Sequence, residues 1–163
     1  MANPIITFEM ENGDIMKAEL YPDIAPNTVK NFVELVEKGF YDGLIFHRVI
    51  RGFVIQGGDP TGTGCGGSDK NIKGEFAING VKNEISHVRG VVSLPRADES
   101  TSDASSFFIC TKSAPALNSQ HAAFGFVVYG ADLIDDIAAV KINADQSPTS
   151  TITITSISFA KLP

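Results

Sequence analysis

LIFHRVIRGFVIQGG, Leu44 to Gly58, holds two runs of strand-forming residues broken at Arg51-Gly52. Each run is too short and too rich in β-branched residues for a helix, so the stretch reads as paired or consecutive strands. Arg48 and Gln56 stand out within it. An Arg among strand residues is ordinarily an edge residue with its head in solvent, because Arg is almost never buried without a partner; the alternative is a site.

The stretch before it, PNTVKNFVELVEKGF, places Val29, Phe32, Val33 and Val36 at helical spacing, with Pro26 fit for the first turn and Gly39 for the end. Before that, ITFEMENGDIMKAEL has two short runs around Asn12-Gly13, a hairpin signal because both residues tolerate positive φ, and strands are expected near 5–10 and 14–20. Downstream, residues 59–90 are rich in Gly, Asn, Ser and Lys, which predicts long excursions carrying at most short strands. GVVSL, SFFICT and FGFVVYG then read as core strands, DLIDDIAAV as a second short helix and TITITSISF as a closing strand with one wet face. That order lacks the βαβ alternation of a parallel doubly wound sheet, and many short strands with two helices favour a closed antiparallel barrel.

Composition bounds the function. The chain has 163 residues, 43% of them apolar and 20% charged, which suits a single globular domain spanning 1–163. Lys plus Arg total 13 against 19 for Asp plus Glu, giving a net charge of -6, and no basic run interleaves with aromatics, so nucleic acid is disfavoured as a partner. No apolar run approaches the ~20 residues of a bilayer span, and the start lacks the basic and apolar regions of a signal peptide; the expected compartment is the cytosol, with no membrane partner. Cys65 and Cys110 have neither C-x-x-C spacing nor metal-ligand spacing with His47, His87 or His121, so no metal is expected and both read as reduced thiols, Cys110 packed in a strand.

GTGCGG, Gly62 to Gly67, matches the dinucleotide pattern G-x-G-x-x-G, with Glu84 near the place of a ribose-binding acid. The pattern needs its last glycine to open a helix, whereas SDKNIKGEFAING follows, with two more glycines and no apolar stripe. A Walker loop fails because Ser68-Asp69 replaces Lys-Ser/Thr. There is no G-x-S-x-G elbow, Ser105-Ser106 falls on an expected core strand, and the adjacent Asp135-Asp136 read as a solvated helix face. No cofactor is expected.

FHRVIRGFVIQGGD, then GTGCGG, SFFICT and LNSQHAAFG, resemble the cyclophilin peptidyl-prolyl isomerases in wording and order. The similarity extends to the Asn-Gly hairpin, the lead-in APNTVKNFVELVEKGFYDGLIFHR and the closing strand, so it spans essentially the whole chain with no added domain. The resemblance implies a mainly β fold, a closed eight-stranded antiparallel barrel capped by two α-helices, with the substrate in a groove on the outer wall. It implies cis/trans rotation about X-Pro bonds, with Arg48 as the donor to the prolyl nitrogen. The family's pocket falls on Phe53, Val54, Phe108, Leu117 and His121, of which Phe108 and Leu117 could equally be core and His121 structural.

By the same resemblance Gln56 partners substrate or Arg48, Arg96 with Ala97 beside it offers main-chain groups to the peptide, and Gly64 and Cys65 form a bare wall for the residues before proline. Ser106 stands where the family usually has Gln, and Ala116 where a Trp often lines the pocket; the chain has no Trp. Weak binding of cyclosporin-type macrocycles follows. Pro95 and Asn118-Ser119 depart from the commoner Ala and Asp-Gly. The implied partners are proline-containing peptides and unfolded or flexible segments, met by a monomer that helps proteins fold. A proline-peptide binding module with little catalysis is the alternative.

Overall fold

A computed structural model of the chain describes residues 3–62, 71–96, 101–103 and 105–160. Among these residues ten strands and two α-helices run in the order β1 (Ile5–Met10), β2 (Ile15–Leu20), α1 (Pro26–Glu37), β3 (Arg48–Ile50), β4 (Val54–Gly57), β5 (Asn71–Lys73), β6 (Val91–Leu94), β7 (Thr101–Asp103), β8 (Phe107–Cys110), β9 (Ala122–Tyr129), α2 (Asp132–Ala138) and β10 (Ile154–Ala160). Eight of the strands form one antiparallel sheet in the order β10-β1-β2-β9-β6-β8-β4-β3, and β5 pairs with β7 in a separate ribbon.

The sheet curls on itself, but its edge strands β3 and β10 are not laddered together, which corrects the expectation of a fully closed barrel. Among the described residues they meet through the isolated bridge Ile45↔Thr153, just ahead of each strand. The N–H of Phe46 donates to the Ile152 carbonyl at 3.1 Å, and that of Ile154 to the Leu44 carbonyl at 2.7 Å. The strand β10 begins at Ile154, where its pairing with β1 begins opposite Met10, and not at Thr151, where the alternating pattern begins.

Strand alternation sorts side chains into two apolar clusters. Phe8, Phe32, Tyr41, Phe46, Ile55, Phe107, Ile109 and Phe124 belong to the interior. Phe107 sits at its centre, edge-on to Phe8, Phe32, Tyr41 and Phe46 with centroids 5.6 to 5.9 Å apart. The next residues along the same strands, Val54, Phe108 and Cys110, point the other way and build a second cluster on the outer wall with Val91 and Ala123. Strands β6 and β8 are therefore buried on both faces.

The helix α1 buries Thr28, Val29, Phe32 and Val36 and packs against β9 and β10, with Pro26 in its first turn and Gly39 at φ +71 just past its end. The helix α2 packs against β3 and β4. Its Asp135 and Asp136 are exposed as expected, and Asp135 pairs with Arg89 at 2.6 Å. Ser105 and Ser106 precede β8 and do not lie on it; both are buried, and their N–H groups donate to Asp103 Oδ1 at 2.9 and 3.0 Å.

Candidate active site

Cross-strand register assembles the site. Arg48 on β3 lies opposite Gln56 on β4, Gln56 opposite Phe108 on β8, Phe108 opposite Ser93 on β6, and Ser93 opposite Ala123 on β9. Residues in such a row share one face of the sheet. One line across the outer wall thus runs from an exposed cation, through a half-buried amide, to a buried aromatic floor. Val54 lies in the next row, paired with Ile50 and Cys110.

The backbone of β4 leaves the wall at Gly58, which has φ +90; a Cβ there would lie 2.5 Å from the Ser105 carbonyl oxygen, so only glycine fits this exit. Phe53 follows the turn at Gly52 and packs half-buried on the outer cluster, its carbonyl accepting from the Thr111 N–H at 2.9 Å. Leu117 closes the short 3-10 turn Pro115–Leu117 and reaches the same cluster. The expected pocket residues Phe53, Val54, Phe108 and Leu117 are thereby brought together, on the outer wall and not in the interior core.

Two histidines fix the floor. His87 stacks on Phe108 with centroids 6.1 Å apart, and His121 meets Phe108 edge-on at 5.5 Å. The His87 Nδ1 lies 3.0 Å from Asn118 Oδ1, an acceptor, so Nδ1 carries the proton and Nε2 accepts from the Ser93 hydroxyl at 2.9 Å. Burial pushes its pKa down, keeping the ring neutral against Phe108. The Nδ1–H of His121 donates to the Leu94 carbonyl at 3.1 Å; burial, aided by the Arg96 charge, lowers this pKa too. His121 therefore presents a neutral ring to the groove.

Arg96 forms an isolated bridge with Ser102, flanked by the Asp103 N–H donating to the Pro95 carbonyl at 2.9 Å. In that pattern Arg96's own N–H and C=O face away from Ser102 and have no partner among the described residues, an orientation suited to pairing with an extended peptide. Ser106, only 4% exposed beside Asp103, offers no long amide. The candidate residues Gly64, Cys65 and Ala97 lie outside the described residues. Cys110 is a buried thiol of the outer cluster, its pKa pushed up to about 12 by burial, and is unsuited to nucleophilic work. Among the described residues no group of three or more His, Cys, Asp or Glu is placed to hold a metal ion.

The Arg48 side chain does not pair with the Gln56 amide, as the sequence reading allowed; its Nε donates to Gln146 Oε1 at 3.1 Å. The two residues are 98 positions apart. The pairing is invisible before the loop after α2 is docked on β3. Asn118 and Ser93 were missed as supports for the same reason, since only the fold brings them to His87.

A cation beside an apolar, histidine-walled floor on the outside of a curled sheet is where comparison with known proteins becomes informative. Residues 5–159 match the family model described as cyclophilin type peptidyl-prolyl cis-trans isomerase/CLD. The chain belongs to the cyclophilin-type peptidyl-prolyl cis-trans isomerases. This cyclophilin is 44% identical over 131 residues to peptidyl-prolyl cis-trans isomerase B of Bacillus subtilis, covering 80% of this chain and 88% of that one. It is 39% identical over 155 residues to the isomerase ppi1 of Schizosaccharomyces pombe, covering 94% and 96%. A crystal structure of a Cryptosporidium parvum cyclophilin superposes with a TM-score of 0.89 at 30% identity, covering 99% of both chains. A second structure of that protein, obtained in the presence of the dipeptide Ala-Pro, superposes at 0.87 and 30% identity, covering 97% of this chain and 99% of that one.

Proposed function

We propose that this cyclophilin accelerates rotation about X-Pro bonds by docking the proline ring on Phe108, between Phe53, Val54, Leu117 and His121, and by aiming the Arg48 guanidinium at the prolyl nitrogen. The observation that carries the assignment is the row Arg48–Gln56–Phe108, which sets a cation and an apolar floor on one face with only β4 between them. The barrier of ~18–20 kcal/mol comes from amide resonance. A hydrogen bond to nitrogen favours the twisted form, in which the nitrogen lone pair is localised, over the planar one, so it lowers the barrier without making or breaking a bond. A charge-assisted bond worth a few kcal/mol supplies a large part of the acceleration, since ~1.4 kcal/mol is tenfold in rate.

The peptide backbone pairs with the outward-facing N–H and C=O of Arg96, while Gln56 lies between donor and floor to meet the substrate carbonyl. Clients are X-Pro segments of unfolded or flexible chains, met by a cytosolic monomer. Ala116 leaves one pocket wall open, so cyclosporin-type macrocycles bind weakly.

NMR exchange spectroscopy on a proline tetrapeptide tests this reading with wild type, Arg48→Ala and Ser106→Gln. Wild type speeds exchange, Arg48→Ala loses about 100-fold or more in kcat/KM, and Ser106→Gln gains activity by restoring a long amide. An unchanged exchange rate on adding wild type, with the peptide bound, would leave a proline-peptide binding module instead.

A further inference from the structure

Among the described residues, two that are not glycine have positive φ, Ser119 at 68° and Gln146 at 71°. Gln146 closes a tight turn. Its N–H donates to the Asn143 carbonyl at 3.0 Å, the Asn143 N–H donates to the Ser147 carbonyl at 2.8 Å, and Ile142 bridges Pro148 beneath. That is a turn followed by one left-handed residue, the place in a short hairpin loop where glycine is the default. Asp145 Oδ1 accepts from both the N–H and the hydroxyl of Ser147, and Asn143 Nδ2 donates to the Ser147 hydroxyl, so the loop is braced by its own side chains.

A glycine at 146 would serve the turn without strain, and it would serve the docking contact too, because the carbonyl of residue 146 accepts from the Val49 N–H at 2.8 Å. Neither needs a side chain. What the side chain adds is the bond from Arg48 Nε to Gln146 Oε1 at 3.1 Å. Gln146 thus grips two successive residues of β3, Val49 through its main chain and Arg48 through its amide. Arg48 is exposed on an edge strand, and its guanidinium would otherwise sample many rotamers. With Nε engaged, the plane of the fork is set, and among the described residues its two terminal nitrogens make no hydrogen bond and remain for the substrate. Strain kept at a non-glycine residue is the pattern expected where a side chain has a task.

We infer that Gln146 is a positioning residue that presets the Arg48 guanidinium for the prolyl nitrogen. This rests on Arg48 being the donor. Gln146→Gly removes the amide while keeping the turn and relieving its strain. On the same tetrapeptide it lowers kcat about tenfold, the scale of one hydrogen bond to a charged group, with KM little changed and the melting temperature unchanged or raised. Gln146→Glu keeps an acceptor of the same reach and restores kcat to near wild type. In an Arg48→Lys background, which has no Nε–H, Gln146→Gly has no further effect.

Wild-type kcat in folded Gln146→Gly, or an equal loss in the Arg48→Lys background, would overturn the inference. Arg48→Ala keeps the two failures apart: if it abolishes activity while Gln146→Gly is silent, only the positioning role falls, whereas an active Arg48→Ala removes the donor reading itself.

Discussion

Ala116 is exposed on the short turn that delivers Leu117 to the groove, and its single methyl group cannot cover the pocket from that side. A large macrocycle gains its affinity from apolar area removed from water, so the missing wall should show in binding. Titration calorimetry with cyclosporin is expected to give a dissociation constant of about 1 μM or weaker, and Ala116→Trp to tighten it at least about tenfold, by adding an aromatic wall; submicromolar binding by wild type would contradict this. Arg48 and Gln56 were legible as polar residues among strand formers, and Val54 and Phe108 through the family resemblance. Arg48, Val54, Gln56 and Phe108 fall on one face once β3, β4 and β8 are recognised. Gln146 and Asn118 were not legible, because each acts across a contact that only tertiary docking creates.

At the scale of elements, α1 shows where local reading stops. Its apolar spacing and Pro26 mark the helix, yet Ala25 at the N-cap supplies no side-chain bond. The orphan N–H of Thr28 instead donates to Glu75 Oε1 at 2.6 Å, a carboxylate 47 residues downstream and only 4% exposed. A carboxylate there also opposes the positive end of the helix dipole. Glu75→Ala should cost about 1–3 kcal/mol, because it leaves a buried donor unpaired. Urea unfolding would show this as a lower midpoint with unchanged slope; an unchanged midpoint would mean water replaces the cap. The strand β7, Thr101–Asp103, escaped sequence reading because three residues ending in Asp carry no apolar alternation, and it is held by pairing with β5.

For the whole molecule, His47, His87 and His121 all have pKa values lowered from 6.5, chiefly by burial. The unfolded chain therefore takes up protons first as pH falls, and stability declines from about pH 6.5 downward until the folded-state values are passed. Thermal melts should show the melting temperature dropping steadily between about pH 7 and pH 5; a flat profile over that range would mean that the rings are not desolvated as the structure shows. The antiparallel class was readable from the order of strands and helices, but the incomplete closure was not, since nothing local marks Ile45 and Thr153 as a bridge. That topology bears on biosynthesis. The strand β1 pairs on one side with β2 and on the other with β10, Ile5 opposite Ala160, so one edge of the first strand waits for the far end of the chain. At ~5–20 residues per second, an interval of roughly 150 residues leaves that edge unpaired for roughly 7–30 s on the ribosome. For that time it is a template for a neighbouring nascent chain, and the exposed Glu9 and Glu11 near its end are the kind of charge that discourages such pairing.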